Sequence, residues 1–395
     1  MENQSENILY NDLKEAFLLR KDISFLNFGS FGACPKPIFD EYQRFQRELE
    51  YEPVQFILNK GPEYLKESRI RLAEYLTCNS DDLVYVPNPT YGVNIVARSL
   101  DLQPGDEILG TNIEYGACDR TWDFYCAEKG ASYIKQSISL PIKSKEAFLD
   151  DFRKGFSDKT RLVFLSQITS ATGLILPVKE ICEEAKQRGI LVFIDGAHVP
   201  GHIPLNLETL GPDFYTGACH KWMMTPKGSS FLYVKPEHQK QLDPLIVSWG
   251  YQADFPSHSQ FLDYHQFNGT RDFSAYLTIP KAIDFMKSND WWGVAEDCRI
   301  LVQKWLPKLC DVVGSEPLAP VNDEFIGQMG SVPVQCKNPI ELKQVLYNEY
   351  KIEIPVMVQN GQAYVRFSIN AFNSEKDLIK LENALAELKE RKLIY

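Results

Sequence analysis

The sequence predicts an α/β fold with a largely parallel sheet that helices cover on both faces. Over the first two thirds of the chain, short β-rich runs alternate with amphipathic stretches, as in "TRLVFLSQI", "PVKEICEEAKQRG" and "ILVFIDG". Strand, helix and strand at this spacing are typical of a parallel sheet that is buried on both faces. A chain of 395 residues, 44% of them hydrophobic, is long enough for one large core and a smaller one.

The other elements follow in the same order along the chain. The run "DDLVYVPN" predicts a strand before the helix "TYGVNIVARSL", and "GDEILGTNI" predicts one before "YGACDRTWDFYCAEKG". Near Pro280 the pattern changes to the long helices "IPKAIDFMKSND" and "VAEDCRILVQKWLPKLCDVV". They are followed by "GSVPVQ", "IELKQVLYNEY", "AYVRFSIN" and "SEKDLIKLENALAELKER". This change predicts a second, smaller α/β domain.

Composition excludes several classes of function. There are 53 acidic against 42 basic residues, a formal charge of -11, and no long basic run, so nucleic acid is not an expected partner. The nine cysteines are an odd number without a C-x-x-C spacing, which predicts reduced thiols in a cytoplasmic protein. The N-terminal "MENQSENILYNDLKEAFLLRKD" lacks an apolar signal region, and no membrane partner is expected.

Four residues at or near predicted strand ends could carry chemistry, because ligands bind at the carboxyl ends of strands in open parallel sheets. Thr90 opens a predicted helix whose free N–H groups suit a phosphate. Asp195 ends the apolar strand "ILVFID", and Lys221 follows the apolar "PDFYTGAC". Arg366 lies in the run "GQAYVRFSIN" and is suited to gripping a carboxylate through two parallel hydrogen bonds.

Each of these residues also has a purely structural interpretation. Thr90 could be an ordinary N-cap, Asp195 a cap or ion-pair residue, Arg366 a solvated charge, and Lys221 a side chain that reaches the surface. Their combination is what holding pyridoxal phosphate (PLP) as a Schiff base requires, with an aspartate that protonates the pyridine nitrogen. The sequence therefore predicts a PLP enzyme.

The segments "DGAHVPG" and "DFYTGACHKWMMTPKGSSFLYV" resemble the class V aminotransferase superfamily of fold-type I PLP enzymes, specifically its isopenicillin N epimerase-like branch. "FLNFGSFGACP", "NPTYGVN", "SQITSATGLILPV", "NGTRDFSA" and "VRFSINAFNSEKDL" are similar to further family blocks, in the family's order. The resemblance implies a mostly parallel seven-stranded sheet in α/β/α layers within a large domain, residues 31–280. It also implies a small C-terminal domain, residues 281–395, and an N-terminal segment, residues 1–30, that contributes to the active site and the small domain.

The resemblance also implies roles for individual residues. Lys221 would bind the cofactor covalently and move the Cα proton, with Asp195 on the ring nitrogen. The residues implied or considered as cofactor-binding are Thr90, Tyr91, Tyr115, Thr169, Asp195, His198, Thr216, His220, Lys221 and Thr270. Arg366 and Asn27 are implied as substrate contacts, and Arg271, Tyr251, His258 and His265 are further candidates from the loop that ends in "NGTRD".

One departure from the family concerns the phosphate. Many relatives have a hydroxyl three residues before the lysine, where this chain has Ala218. Thr216, or Thr270 of a neighbouring subunit, would have to replace it. Because Thr270 matches a position that reaches the neighbouring subunit's phosphate, the resemblance implies a homodimer with shared active sites.

The expected reaction begins with removal of the Cα proton from an amino acid or its derivative. Reprotonation at Cα, protonation on the cofactor, or loss of a β-substituent would then give an epimerase, an aminotransferase or a C–S lyase. Cysteine desulfurase-like activity is an alternative, although Tyr115 stands at the ring face and Cys336, in a predicted strand, suits a buried small hydrophobe. A catalytically silent PLP-fold binding or regulatory protein is another. No metal site is expected, because "HVPGH" lacks the glutamate of a zinc-binding helix.

Overall fold

The computed structural model of the protein describes residues 11–395, so residues 1–10 of the predicted N-terminal segment lie outside the described part. The strands are β1 (Ser24–Phe25), β2 (Leu83–Val86), β3 (Glu107–Thr111), β4 (Ser132–Gln136), β5 (Thr160–Ser166), β6 (Leu191–Gly196), β7 (Phe214–Ala218), β8 (Ser230–Val234), β9 (Met329–Val334), β10 (Ile352–Glu353), β11 (Val356–Gln359) and β12 (Gln362–Ser368).

The helices range from single turns to the 23-residue α15. They are α1 (Asn11–Ala16), α2 (Phe28–Phe31), α3 (Lys36–Tyr51), α4 (Pro53–Gln55), α5 (Gly61–Leu76), α6 (Pro89–Ser99), α7 (Gly116–Lys129), α8 (Lys145–Arg153), α9 (Val178–Gln187), α10 (Leu207–Leu210), α11 (Pro236–Gln239), α12 (Gln260–Gln266), α13 (Ser274–Leu277), α14 (Ile279–Ser288), α15 (Trp291–Val313), α16 (Pro339–Asn348) and α17 (Glu375–Glu390). A π-helical segment spans Phe56–Lys60 and a 3-10 turn spans Ser80–Asp82.

The central sheet has seven strands in the order β2-β8-β7-β6-β5-β3-β4. All neighbours from β7 to β4 are parallel, and β8 runs antiparallel to both β2 and β7. The predicted mostly parallel, seven-stranded α/β architecture is therefore confirmed. In the register of three adjacent strands, Ser166 lies beside Asp195 and Asp195 beside Thr216, so these carboxyl ends share one edge of the sheet.

Two apolar clusters cover the two faces of this sheet. On one face Phe164 and Phe193 pack with Val96 of α6 and Trp122 of α7. On the other face the opposite side chains of the same strands join a larger cluster that includes α5, α9, α14 and the C-terminal part of the chain. Because successive side chains point to opposite faces, strands covered on both sides read as continuous apolar runs. Each fully buried large apolar side chain contributes about 1.5–3 kcal/mol.

The C-terminal part of the chain forms an antiparallel sheet in the order β11-β12-β9, against which α15 and α16 pack, while α17 packs on α15. Helix α17 begins with a capping box between Ser374 and Asp377. Strand β1 pairs in parallel with β10, which joins residues 24–25 to this C-terminal unit. The predicted domain boundary after residue 280 falls inside α14, and the division itself stays a prediction.

The prediction that Cys336 lies inside a strand is wrong. Strand β9 ends at Val334, and Cys336 is a partly buried residue that forms an isolated bridge with Ile394. The backbone after β9 pairs with the C-terminal residues instead of with β12, since the N–H of Tyr395 donates to the carbonyl oxygen of Gln335.

Candidate active site

A cavity of about 390 Å³ opens at the carboxyl ends of β5 and β6. This volume is typical of sites that bind small ligands. Its lining consists of Ser30, Phe31, Asn88, Pro89, Thr90, Tyr115, Ser166, Ile168, Ser170, Asp195, Ala197, His198, His220 and Lys221. Loops after five different strands of the central sheet thus meet the N-terminal segment around one space.

Lys221 is a partly buried lysine that lines this cavity three residues after β7. Its Nζ lies 3.3 Å from Nε2 of His198. Burial lowers the pKa of the Lys221 amine to about 8; the negative charge of Asp195 opposes this shift and Arg366 adds to it. The amine is therefore far closer to its neutral, nucleophilic form at neutral pH than a surface lysine is.

Asp195 ends β6 and is 3% exposed. Its Oδ1 accepts the N–H of Ala197 at 2.9 Å, and the Cys118 thiol donates to Oδ2 at 3.6 Å. Burial raises the pKa of this carboxyl above 3.8. Since no ion pair within residues 11–395 includes Asp195 at salt-bridge distance, a protonated ring nitrogen would supply the cation that a buried carboxylate requires.

The helix α6 presents its N-terminus to the same cavity. The N-cap of this helix is Asn88, whose side chain accepts the N–H of Tyr91 at 2.9 Å. Thr90 lies in the first turn and lines the cavity, so its cap interpretation does not hold. Free N–H groups and a positive dipole end at this position suit a phosphate.

His220 and Tyr115 also line the cavity. His220 Nδ1 pairs with the carbonyl oxygen of Ser229 at 2.8 Å, which makes Nδ1 the protonated nitrogen, and burial lowers the pKa of His220 to about 4. Its Nε2 is then an acceptor rather than a cation for a phosphate. Tyr115 is 43% exposed and flanks the space as an aromatic wall.

Several residues singled out from the sequence lie outside the cavity lining. The hydroxyl of Thr169 bonds to Thr172 Oγ1 at 2.6 Å within a tight turn, and Ser170 lines the cavity instead. The hydroxyl of Thr216 donates to the carbonyl oxygen of Phe231 at 2.8 Å and is fully buried. Helix α6 covers it so closely that a side chain at Gly92 would come within 2.9 Å of Thr216 Oγ1.

The remaining predicted residues lie beside the cavity or further away. The side chain of Tyr91 faces Asn268 and Arg271. Asn27 is 8% exposed at the start of α2, and its Oδ1 has no partner among the described residues. The remaining candidates lie around the loop and helices of residues 246–276. Thr270 and Arg271 border a separate apolar cavity of about 270 Å³. The others contact neighbours outside the cavity lining: Tyr251 packs on Tyr264, His258 pairs with Asp81, and His265 is buried against Phe261.

Arg366 lies on β12 with only 2% of its surface exposed, which overturns its interpretation as a solvated charge. Its Nη2 donates to Ser30 Oγ at 3.0 Å, and its Nη1 donates to the carbonyl oxygen of Ser170. Both serines line the cavity, whereas Nε has no partner in the described part of the chain. Burial lowers the pKa of Arg366 to about 10, so the side chain stays charged at neutral pH.

Sequence reasoning missed Glu114, which lies behind the cavity and holds the lining residue Ser166. This buried carboxylate accepts hydrogen bonds from Thr111 Oγ1 at 2.6 Å and from the N–H of Ser166 at 2.8 Å. Burial raises the pKa of Glu114 to about 7, and the nearby charge of Asp195 adds to this shift. An acidic residue three residues after a buried strand, next to Tyr115, was the available signal.

The residues around the cavity fit PLP. A primary amine, a buried carboxylate without an ion-pair partner and the N-terminus of an 11-residue helix face the same space. Within the described residues no group of three or more His, Cys, Asp or Glu side chains is arranged to hold a metal ion. None of the helices in residues 11–395 combines the length and apolar character needed to cross a membrane.

Comparisons with known proteins identify the family of the chain. Residues 39–381 match the family "Aminotransferase class-V". The chain is 31% identical to isopenicillin N epimerase of Amycolatopsis lactamdurans, over 95% of this chain and 97% of the relative. It is 28% identical to putative L-cysteine desulfhydrase 1 of Oryza sativa subsp. japonica, over 92% of this chain and 82% of the relative.

Among solved structures, a C-DES variant with glycine covalently linked to its PLP cofactor matches with a TM-score of 0.79. The two chains are 22% identical over 93% of this chain and 97% of C-DES, a likeness that shows the fold. The family match spans most of the chain, and Lys221 and Asp195 line the same cavity. The chain therefore belongs to the class V aminotransferase family of pyridoxal phosphate-dependent enzymes.

Proposed function

We propose that this enzyme removes the Cα proton of an amino acid or amino-acid derivative, with Lys221 as the base. The observation that carries the proposal is the amine of Lys221, which lies in the cavity 3.3 Å from a neutral histidine and has its pKa lowered to about 8. A base works best when its pKa lies near the working pH. PLP, when bound, supplies the electron sink that makes a Cα–H bond acidic.

The other residues would position the reactants. Arg366 offers a buried cation for the substrate carboxylate, because it stays charged and lies directly behind Ser30 and Ser170 of the lining. Asp195 would hold the proton on the ring nitrogen, and Tyr115 would cover one face of the ring. Asn27 lies in the N-terminal segment, its Oδ1 has no partner among residues 11–395, and it is a second candidate for a substrate contact.

The fate of the carbanion separates the possible reactions. Relatives named as epimerase and as L-cysteine desulfhydrase support epimerisation or C–S cleavage, and transamination shares the same first step. A persulfide-forming desulfurase would need a cysteine that reaches the substrate. None of the residues that line the cavity is a cysteine. Ser331 pairs with Arg366 across the sheet, and Cys336 follows Ser331 by five residues, which is roughly 16 Å in an extended chain. This favours C–S cleavage without a cysteine acceptor over desulfurase activity.

A spectroscopic and isotope-exchange experiment tests the proposal. Purified protein is expected to gain a visible absorbance band with PLP, and borohydride is expected to fix the cofactor on the peptide that contains Lys221. A panel of L- and D-amino acids and cysteine conjugates is then incubated in D2O. Deuterium incorporation at Cα by NMR would reveal deprotonation whatever the final product, and sulfide, keto acid or the opposite enantiomer would name the outcome.

Two results would contradict the proposal at different levels. A protein that stays colourless with added PLP would show that the site does not bind the cofactor. A coloured protein that exchanges no Cα hydrogen in any member of the panel would show that PLP binds but that the proposed deprotonation does not occur.

We further propose that the enzyme is a homodimer with shared active sites. Support comes from an exposed apolar surface around the second cavity, where Trp249 is 85% exposed, Leu58 68% and Phe267 45%. Exposed apolar surface this extensive is characteristic of interaction sites. Thr270 lies on this same surface and not on its own subunit's cavity lining, as a residue serving a neighbouring site would.

The substitution Trp249→Glu is expected to weaken this dimer, because it places a charge in the apolar contact. Sedimentation analysis should give the wild-type protein about twice the 45.3 kDa of one chain and the variant a larger share of monomer with weaker PLP retention. Ile340→Glu is the matched control, since Ile340 is 71% exposed on α16. Equal sedimentation of wild type and Trp249→Glu as monomers would refute the dimer.

We also propose a cytoplasmic location. All nine cysteines are free, which supports a reducing compartment where thiols stay unpaired.

A further inference from the structure

His198 has a nitrogen-bearing partner on each ring nitrogen. Trp222 Nε1 lies 3.3 Å from His198 Nδ1, and Lys221 Nζ lies 3.3 Å from His198 Nε2. The indole N–H of tryptophan can only donate, because its nitrogen has no free lone pair. Nδ1 of His198 must therefore accept, which leaves the proton of a neutral ring on Nε2.

The surroundings keep this imidazole neutral. His198 is 3% exposed, and burial lowers its pKa well below 6.5, as do the neighbouring cations Lys221 and Arg366. An imidazolium would also carry a hydrogen on Nδ1, pointing at the hydrogen of the indole. Burial, charge and hydrogen-bond direction all favour one neutral form.

The indole of Trp222 is held so that it cannot turn away. It is fully buried between His202, with ring centroids 4.0 Å apart, and Phe28, at 5.0 Å. His202 is itself fixed, since the N–H of Gln328 donates to its Nε2 at 2.6 Å and its Nδ1 pairs with the carbonyl oxygen of His198 at 3.0 Å. The ring of His202 therefore ties Trp222 to the loop after β6 and to the residue before β9.

We propose that Trp222 is a positioning residue whose indole N–H fixes His198 in the tautomer that carries its proton on Nε2, toward the amine of Lys221. An N–H at this place can donate to the Lys221 amine once that amine is neutral, above its pKa of about 8, whereas the ammonium form below that pH can only donate. The opposite tautomer would present a lone pair there. The inference rests on the proposed function in one respect, because the same donor would meet an anionic oxygen of bound PLP.

The test is a measurement of the His198 tautomer by NMR. Full-length protein labelled with ¹⁵N-histidine is studied at about pH 9, where the Lys221 amine is mostly neutral, with and without PLP. Long-range ¹H–¹⁵N correlation distinguishes protonated from unprotonated ring nitrogens. The chain has six histidines, and a His198→Gln spectrum identifies the signals of His198. We expect Nε2 protonated and Nδ1 unprotonated in the wild type.

The variant Trp222→Phe keeps an aromatic ring against His202 and Phe28 but removes the N–H. The tautomer ratio should shift toward the Nδ1–H form by about three- to tenfold, the worth of one hydrogen bond. Trp291→Phe is the matched control, because the buried indole of Trp291 donates at 3.0 Å to the carbonyl oxygen of Gly201, in the same loop, without touching His198.

Two outcomes would overturn the inference. One is a wild-type His198 with its proton on Nδ1, a result that needs no variant to fold. The other is a folded Trp222→Phe protein with the wild-type tautomer ratio. Neither outcome depends on cofactor binding. If the protein never takes up PLP, the proposed function fails, but the tautomer measurement still tests this inference.

Discussion

Replacing Lys221 by alanine is expected to lower kcat/KM by about 10⁴-fold or more for every substrate that the enzyme accepts. The variant loses the group that attaches the cofactor and the base near Cα, and a positioned acid-base group alone contributes up to about 10⁴-fold. Steady-state rates are measured with saturating PLP, so that weaker cofactor binding does not mimic lost chemistry. Lys227→Ala is the control, because Lys227 lies six residues away and donates to the carbonyl oxygen of Gly32. A Lys221→Ala enzyme within tenfold of wild type would assign the base elsewhere.

The same amine predicts how cofactor attachment depends on pH. Only the neutral amine is nucleophilic, so below the pKa of about 8 its reactive fraction falls tenfold per pH unit, and above that pKa the fraction is constant. The rate at which cofactor-free protein combines with PLP, followed by absorbance, should carry this dependence. Asp195 raises the pKa of Lys221, so Asp195→Asn should move the levelling point to lower pH. A rate limited by a surface-like lysine would keep rising to about pH 10.

The sequence predicted the parallel core of the fold well, because its strands are buried on both faces. The runs that became β5, β6 and β7 are mostly apolar and buried, and β5 and β6 end in polar or turn residues. The reversed direction of β8 was not predictable in this way, since an apolar run carries no information on strand direction. Strand β4 was missed because it is half-buried at the sheet edge and its residues read as a polar segment.

Within the site, strand ends were predictable and side-chain directions were not. Asp195, His198 and Lys221 share the cavity because parallel strands bring their carboxyl ends to one edge. Thr169 and Thr216 have suitable hydroxyls, but neighbouring oxygens in a turn and on β8 already engage them. The hydrogen bond of Thr216 with Phe231 and that of Trp222 with His198 join residues on different elements, and the bond of Thr169 with Thr172 depends on the exact turn conformation. Periodicity and spacing along the chain do not report them.

Arg366→Met is expected to lower kcat/KM for amino-acid substrates by about 30- to 5,000-fold, which corresponds to the roughly 2–5 kcal/mol lost when one partner of a buried charge pair is removed. The guanidinium is buried and charged, and within residues 11–395 burial alone shifts its pKa, with no carboxylate partner. An isolated buried cation is costly, so its presence behind Ser30 and Ser170 indicates that an anion arrives from outside.

Two controls separate carboxylate binding from a structural role of Arg366. The amide of the same amino acid lacks the carboxylate charge, so its kcat/KM should change little between wild type and Arg366→Met. Because the substitution removes a buried cation without a carboxylate partner, the free energy of unfolding without substrate should stay within about 1 kcal/mol. Equal losses for acid and amide, together with a destabilised protein, would make Arg366 a structural residue. A selective loss for the acid in a stable protein would establish it as the carboxylate anchor.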